Sequence, residues 1–571
     1  MHISRCSAAL LCTFVLFLFI IQGLLIGMLM WYICDNASVP SGGSNNSKVI
    51  DEERPREDEP KKPWSDIRLP NNLIPNSYDI NLRPILDDAT SNALYGSMDV
   101  TYLCKIPTKY TLLHSKYIKF DLSKVSLKTG NCDVEITNVT FYELHEYVIF
   151  ESKEKCDGGK YYTLSILQYV TSLSHNLWGL YRSTFEMETV ETRTILSSHM
   201  QPTGARKVFP CFDEPGFKAN FTITIWFRPV ENRLAISNMP AKKHTTKEID
   251  GVLWNSTTFE ETFPMATYIL AFAICDDYSF AESSSATGIK VRTFAPKEWI
   301  ANGTADYATK TAPIILDHFQ DFFGVEYPLT KADQIVVPQL VFGAMENWGL
   351  VMYKKKFLLV DDNSTIRDKL ESVNTISHEL VHMWFGNLVT PTFWNDIWLN
   401  EGFATYFSYS GAESVYSTWN SKQLFFLEIF YQAMDADDIN SSHPIIHEEE
   451  RPDSIFEMFD AIVYKKGGCM LRMINAFLGD EVFMNGLKAY LKDLSYNTTT
   501  TDTLFKYWEN AINKTENSYP ASISEMLTPW TTQAGYPLLN VKRENDVYSI
   551  TQERFLRDEE SSYDKYRMEL I

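Results

Sequence analysis

The feature that most constrains this chain is a His-Glu-x-x-His motif, His378-Glu379-Leu380-Val381-His382. Apolar residues recur around it at steps of three and four, which predicts an amphipathic helix. On a helix, positions i and i+4 lie on one face about 6 Å apart, so His378 and His382 can bind one metal ion together. Glu379 can then face the water on that ion without being a ligand. The motif predicts a site for metal-assisted hydrolysis.

A third ligand is expected from Glu401, which follows His382 by 19 positions, enough for one helix to end and a second to begin. Apolar neighbours would bury one face of that second helix: Leu399, Phe403 and Phe407. Two His and one Glu leave the open position that a catalytic zinc site keeps, so we expect one Zn²⁺ per chain. Asp396 is the expected acceptor for the outer nitrogen of a ligating His.

The N-terminus predicts a membrane anchor. From Cys6 to Cys34 there is no charged residue, and the run exceeds both the ~20 apolar residues of a membrane span and a signal-peptide core. It ends in aromatic residues rather than in small residues that a signal peptidase would cut, although a cleaved signal peptide is the alternative. We expect a cytoplasmic tail (1–5), a transmembrane signal-anchor (6–34) and a disordered stalk (35–63).

Glycosylation sequons support an outer location for the rest of the chain. Asn-x-Ser/Thr occurs at Asn36, Asn45, Asn138, Asn220, Asn255, Asn302, Asn363, Asn440, Asn497 and Asn513. A sequon is used only on a surface facing the secretory lumen. The prediction is a single-pass type II protein of the plasma membrane with its large domain outside the cell.

Composition limits the classes of function. Lys plus Arg is 52 and Asp plus Glu is 73, a net charge of −21, which lacks the basic footprint of a nucleic-acid-binding protein. The six Cys outside the span are sparse and without a C-x-x-C motif, which excludes a zinc–thiolate site. They allow one or two structural disulfides, whose pairing the sequence leaves open.

The length of 571 residues suggests three or four domains. After the stalk, the sequence divides into three regions with different residue patterns. Residues 65–277 are rich in alternating and β-branched runs, which predicts an all-β N-terminal domain. Residues 278–537 form the predicted catalytic domain, with helical patterns near 305–324, 366–386, 397–412, 420–434, 461–478 and 482–493. Residues 538–571 predict further strands, interpreted as the start of a truncated β-sandwich domain.

These motifs resemble the gluzincin membrane aminopeptidases, the aminopeptidase N family. His378-Glu379-x-x-His382 followed by Asn400-Glu401-Gly402 is the family's zinc signature, and Gly343-Ala344-Met345-Glu346-Asn347 matches its exopeptidase signature. Two further blocks match near 201–215 and 384–390. The resemblance runs from about residue 65 to the end. It implies a saddle-like N-terminal β domain and a thermolysin-like, α-rich catalytic domain.

The resemblance also implies how a peptide with a free N-terminus is held. A buried ammonium must be paired with carboxylates, and Glu346 and Glu401 would grip it, with Gln201 adding a polar contact. Backbone groups of Gly343 and Ala344 would hold the peptide. The expected substrate-binding residues are Gln201, Phe342, Gly343, Ala344, Met345, Glu346, Asn347 and Phe459.

Two residues are expected to perform the chemistry. Glu379 is the expected general base. The family stabilises the oxyanion with a Tyr on a helix that begins at a Phe-Asp block, and Phe459-Asp460 places Tyr464 in that role. The implied function is a zinc metallo-aminopeptidase that removes single N-terminal residues at the cell surface.

Departures from the family pattern bear on specificity. Acid-preferring relatives carry carboxylates at the positions of His199 and Gln201, and aminopeptidase N has a small Ala where this chain has Phe342. Gly204 stands where many relatives have Asp. We expect a preference for neutral or basic N-terminal residues, with smaller side chains favoured.

Two alternatives stay open. A thermolysin-like endopeptidase would share the zinc site but would have no use for residues 343–347. A catalytically impaired surface receptor or adhesion protein could use the same fold. Longer family members add a helical domain that often forms a homodimer, and such a dimer is expected of them rather than of this chain.

Overall fold

The structure is a computed structural model. It describes residues 62–557 except 87–90, 187–191, 362, 517 and 518. The predicted tail, the predicted span and all of the predicted stalk but residues 62 and 63 lie outside the described residues. Across the described part of the chain, no helix combines the length and the apolar character needed to cross a bilayer.

The first half of the described chain consists of strands whose side chains alternate between core and surface. In the first strand Tyr78, Ile80 and Leu82 are buried and their neighbours are not, which is the two-residue period of a half-buried strand. The strands are β1 (Leu73–Pro84), β2 (Ala93–Cys104), β3 (Tyr110–His114), β4 (Lys119–Phe120), β5 (Val125–Thr129), β6 (Cys132–Val134), β7 (Ile136–Tyr142), β8 (Tyr147–Ser152), β9 (Tyr161–Ser172), β10 (Gly179–Glu186), β11 (Thr192–His199), β12 (Asn220–Phe227), β13 (Arg233–Ser237), β14 (Ala241–Ile249), β15 (Val252–Phe259) and β16 (Phe272–Asp276).

Within the described ranges these strands form three sheets. The largest has the order β14-β15-β12-β1-β2-β9-β5-β6, with β4 also paired to β9. The central strand pair of this sheet joins segments that are far apart in the sequence. Strand β1 pairs in parallel with β12, which places Ile80 beside Ile223. The others have the orders β10-β11-β16-β13 and β3-β8-β7. The prediction of an N-terminal β domain is confirmed.

A mixed sheet follows, built from β17 (Tyr278–Ser284), β18 (Lys290–Pro296), β19 (Lys331–Val337), β20 (Ala344–Met345) and β21 (Leu350–Lys354) in the order β17-β18-β19-β21-β20. Every residue of β19 is buried, as expected for a strand with parallel partners on both sides. The short strand β20 lies at the edge of this sheet.

Helices make up most of the remaining chain. They are α1 (Lys297–Ala301), α2 (Asp306–Phe323), α3 (Lys355–Leu358), α4 (Ile366–Val381), α5 (Trp398–Val415), α6 (Ser421–Phe425), α7 (Tyr431–Asp437), α8 (Pro452–Glu457), α9 (Gly467–Leu478), α10 (Asp480–Asp493), α11 (Thr501–Ile512) and α12 (Ile523–Thr532). Two-residue strands β22 (Thr390–Pro391) and β23 (Thr498–Thr499) join the segment after α4 to the segment before α11. The α-rich character predicted for this part of the chain is confirmed.

The helix boundaries correct the sequence prediction in two ways. The helix expected over 366–386 ends at Val381, because the chain then folds into a tight loop in which Gly386 has φ of 127°, a conformation open to glycine. The helices expected over 420–434 and 461–478 each contain a π-helical turn, at Phe426–Phe430 and Ile462–Lys466. Such turns are frequent at functional sites.

Two further features concern the ends of the described chain. A disulfide joins Cys104 to Cys156, so one structural disulfide is present and its pairing is known. The strands predicted after residue 538 are an antiparallel hairpin of β24 (Pro537–Glu544) and β25 (Val547–Arg554). Residues 558–571 lie outside the described part, and a β-sandwich beginning here stays a prediction.

Candidate active site

The two imidazoles of the motif converge on one point. His378 lies in the last turn of α4, and His382 directly follows the helix with helical backbone angles. A capping box of Thr365 and Asp368 fixes the beginning of α4. The two Nε2 atoms are 3.2 Å apart. Two ligands at tetrahedral angles, each about 2.05 Å from zinc, are separated by about 3.3 Å, so the spacing fits a shared metal ion.

Glu401 reaches the same point from the first turn of α5. Its Oε2 lies 3.4 Å from His378 Nε2 and 3.3 Å from His382 Nε2. The carboxylate is buried, and among the described residues Oε2 has no hydrogen-bond partner. An unpaired buried carboxylate oxygen beside two imidazoles is costly unless a cation completes it. These three residues are the one group in the described chain with ligand atoms placed to hold a metal ion.

Aromatic packing aligns the two helices that carry these ligands. The rings of Phe385 and Phe403 stack with centroids 4.1 Å apart and nearly parallel planes. Phe323 at the end of α2 packs edge-on against Phe385 and against Phe407 of α5. The ligand geometry therefore depends on a buried apolar cluster, which excludes water from one side of the site.

Glu379 is buried on α4 beside the ligand group. Burial raises its pKa well above the ordinary value against the opposing effect of His382, and the carboxylates of Glu346 and Glu401 raise it further. A carboxylate with a raised pKa is a stronger proton acceptor than an exposed one. Its environment therefore fits proton transfer.

Glu346 directly follows the edge strand β20. Its Oε1 accepts a hydrogen bond from Gln201 Nε2 at 3.2 Å, and Asn387 Nδ2 donates to its backbone carbonyl at 2.8 Å. Burial raises the pKa of Glu346 to about 7, and the neighbouring charge of Glu401 adds to this while His382 opposes it. The structure thus brings together three side chains that are distant in the sequence. Gln201 lies 145 residues before Glu346, and Glu401 lies 55 residues after it.

The other residues of the exopeptidase signature shape the edge of the mixed sheet. A Cβ on Gly343 would lie 2.8 Å from Phe357 Cε2, so a larger residue there would require the Phe357 ring to move. Ala344 and Met345 form β20, whose outer edge has no strand partner in the described sheet and can pair with an extended peptide. Asn347 is buried, with both side-chain polar atoms unpaired.

Tyr464 lies over the metal ligands from the π-helical turn Ile462–Lys466. Its ring is parallel to that of His378, with centroids 6.0 Å apart. Burial raises its pKa well above the ordinary value, and the Glu401 and Glu346 carboxylates raise it further. The phenol therefore keeps its proton and can donate a hydrogen bond.

An aromatic wall lies beside the signature. Phe342 is half-buried and contacts Phe459 and Phe456, with centroids 5.5 Å and 5.7 Å away. His199 lies 5.7 Å from Phe342, fully buried, and neither ring nitrogen has a hydrogen-bond partner. Burial lowers the pKa of His199 to about 3, so this imidazole is neutral.

One expected contact is wrong. His382 Nδ1 lies 3.1 Å from the carbonyl oxygen of Phe385, and Asp396 does not serve it. Asp396 Oδ1 instead accepts hydrogen bonds from the hydroxyl and the backbone N–H of Thr501, at 2.6 Å and 3.3 Å. The backbone loop after α4 supplies the acceptor locally, and Asp396 binds the first residue of α11 instead. No local sequence pattern predicts the contact between Asn387 and Glu346, which was not expected.

Comparisons with known proteins agree with this arrangement. Residues 74–269 match the Peptidase M1 N-terminal domain, and residues 307–530 match the Peptidase family M1 domain. Aminopeptidase Ey of Gallus gallus is 38% identical over 517 residues, 89% of this chain and 52% of that protein. Aminopeptidase N of Homo sapiens is 38% identical over 512 residues, 88% and 52% respectively.

A relative with a different name is nearly as similar. Glutamyl aminopeptidase of Bos taurus is 36% identical over 500 residues, covering 87% of this chain and 50% of that protein. The chain thus spans about half the length of the curated relatives it matches.

Proposed function

This chain belongs to peptidase family M1 through its N-terminal and peptidase domains, and we propose that it is a zinc metallo-aminopeptidase. It would remove single N-terminal residues from peptides at the cell surface. The observation that carries the proposal is the convergence of His378, His382 and Glu401 beside the buried carboxylate of Glu346. The first three can hold zinc, and the fourth can pair with a free α-ammonium.

The chemistry is divided among five side chains. Zinc held by His378, His382 and Glu401 would supply Lewis-acid polarisation and a water of lowered pKa. Glu379 takes a proton from the attacking water and gives it to the leaving amine. Tyr464 donates its O–H to the oxyanion that develops on the carbonyl. No residue forms a covalent bond to the substrate, so the five act by placement and proton transfer.

The ammonium clamp makes the enzyme an exopeptidase. Glu346 and Glu401 are both buried, and an acetylated N-terminus offers them no positive charge. Gln201 fixes one oxygen of Glu346 and so orients the clamp. The edge of β20 pairs with the peptide backbone beyond the first residue. A blocked peptide would leave the Glu346 carboxylate unpaired and would bind weakly.

For specificity we propose neutral or basic first residues. Two observations support this preference. His199 and Gln201 are uncharged, and the half-buried Phe342 narrows the space proposed for the first side chain of the substrate. We also propose a type II membrane anchor over residues 6–34, supported by the charge-free run and by the sequons of the outer part.

The test uses purified protein, zinc analysis, and alanyl anilide with and without an N-terminal acetyl group. We expect about one zinc per chain and hydrolysis of the free substrate alone. Glu379→Gln should lose roughly 10²–10⁴-fold in kcat while keeping its zinc. The control is Glu371→Gln, an exposed position on the same helix, which should behave as wild type. Cleavage of the acetylated substrate would favour an endopeptidase, and zinc without turnover would favour the receptor alternative.

A further inference from the structure

Two ion pairs flank the turn that carries Tyr464, and both lead to one short segment of chain. Ahead of the turn, Asp460 Oδ2 lies 2.7 Å from His443 Nε2. At its end, Lys466 Nζ lies 2.8 Å from Asp437 Oδ2. Asp437 is the last residue of α7, and Ser442 beside His443 donates to it at 2.6 Å. Segment 437–443 therefore ties down the turn before and after the tyrosine.

Asp460 fixes the backbone of the turn directly. Its Oδ1 accepts hydrogen bonds from the N–H groups of Ile462 at 2.9 Å and Val463 at 3.1 Å. Its backbone carbonyl accepts a third from the N–H of Tyr464 at 3.1 Å. One residue thus satisfies three successive donors at the start of the turn, as a helix N-cap does. Rotation of the Asp460 side chain would release the two hydrogen bonds that Oδ1 accepts at the start of the turn carrying Tyr464.

The hydrogen-bond partners of His443 favour its protonated form. Its Nδ1 lies 2.8 Å from the Pro444 carbonyl and its Nε2 lies 2.7 Å from the Asp460 carboxylate. Both partners are acceptors, and an imidazole has two N–H groups only when protonated. The hydrogen bond that His443 donates to Asp460 raises the pKa of His443, burial opposes this rise, and the charge of Asp437 adds to it. A further titratable neighbour is His447, whose ring centroid is 4.5 Å from that of His443.

We infer that His443 is a positioning residue: as a cation it locks Asp460 onto the turn and thereby holds Tyr464 over His378. The inference rests on the proposed function for its kinetic readout. His443 itself does not reach the reacting atoms. Deprotonation would remove one N–H and the ion pair together, leaving Asp460 free to turn toward solvent. The oxyanion donor would then be misplaced while the metal ligands stay in position.

The kinetic test is a double-mutant cycle on alanyl anilide. His443→Gln should lower kcat roughly 10-fold with KM unchanged, because a misplaced catalytic group costs rate. In a Tyr464→Phe background the same change should alter kcat less than about twofold, because the group being positioned is gone. His443→Arg, which keeps the cation, should restore most of the rate. His447→Gln, which removes the neighbouring imidazole, is the control. Equal fold-losses in both backgrounds would overturn the inference.

A second measurement is independent of turnover. 3-Fluorotyrosine placed at position 464 gives a ¹⁹F resonance that should shift as His443 titrates. This component of the shift should be absent in His443→Arg, where only the contribution of the nearby carboxylates, such as Glu346, remains. An identical resonance in wild type and His443→Gln across the pH range would overturn the inference. Absence of turnover in the wild type would contradict the proposed function alone. Zinc content and unfolding temperature identify variants that fail to fold, in which case the wild-type titration decides.

Discussion

The proposed metal ligands and the proposed oxyanion donor Tyr464 meet at one site, but different interactions hold them in place. His378, His382 and Glu401 sit on helices joined by stacked aromatic rings, and Phe403 between them is fully buried. Tyr464 sits on a turn held by His443 and Asp460, whose side chains are 31% and 35% exposed. Apolar packing is insensitive to pH, whereas an imidazolium–carboxylate pair is lost on deprotonation.

This difference suits the two groups, because the proposed ligands must stay fixed whereas the position of Tyr464 can vary. Three ligands must keep nearly fixed distances to one ion, so a dense apolar cluster suits them. A donor that serves a transient charge needs accurate placement only while the oxyanion exists. Polar clamps with partial exposure open at lower cost than buried cores do. The four predictions below test this contrast.

The largest expected effect comes from the ligand side. His382→Phe removes one imidazole from a site of three ligands, so zinc and turnover should both be lost. Added zinc should not restore turnover. Metal analysis and anilide hydrolysis measure both losses. His244→Ala, at an exposed strand position, should keep its zinc and its rate. A variant with zinc retained would show that this imidazole is not a ligand.

Next in size is a change in the aromatic cluster. Phe403→Ala should lower the free energy of unfolding by about 3–5 kcal/mol, because it leaves a cavity between α4 and α5. Chemical denaturation followed by circular dichroism measures this loss. Phe426→Ala, which truncates a ring that is 41% exposed, should cost much less. Similar losses at both positions would contradict the view that packing fixes the ligand helices.

The ammonium clamp should show a pH dependence of its own. With its pKa raised to about 7, Glu346 is charged only above that pH. KM for alanyl anilide should therefore rise as pH falls through about 7. Glu346→Gln should raise KM roughly 10- to 100-fold, because a charge-assisted contact is lost, and should flatten this profile. The exposed Glu282→Gln is the control. An unchanged profile would exclude Glu346 as the titrating group.

The smallest effect is on stability through His443. A histidine whose folded pKa is raised stabilises the protein below its unfolded pKa, about 6.5, and loses this contribution as pH rises through the folded value. His443→Gln should therefore cost at most about 1 kcal/mol in unfolding free energy at pH 6, and almost nothing at high pH. Denaturant titrations at several pH values measure it. A penalty that grows with pH would contradict a cationic His443.

Sequence patterns predicted the parts of this protein that depend on local spacing. The helix bearing His378 and His382, the second helix bearing Glu401 and the strands around Ile80 all follow from periodicity over ten to twenty residues. The family follows from several such blocks taken together. The catalytic and binding roles of the individual residues stay predictions until the variants are measured.

The misses share a cause. Asp396 was expected near a ligating imidazole, but it accepts a hydrogen bond from Thr501, 105 residues later in the chain. The helix over α4 was expected to continue past His382, but a loop with Gly386 ends it. Neither the pairing of Cys104 with Cys156 nor the contact of His443 with Asp460 has a sequence pattern. Each is decided by which distant segments pack together.

Local spacing was enough to predict two imidazoles one helical turn apart, a carboxylate on a following helix, and an acidic signature upstream. Which of these groups meet, such as Gln201 with Glu346 across 145 residues, depends on how distant segments fold together. This is because backbone periodicity is a local property. Contacts between distant segments are instead set by the burial of apolar surface and the pairing of buried polar groups.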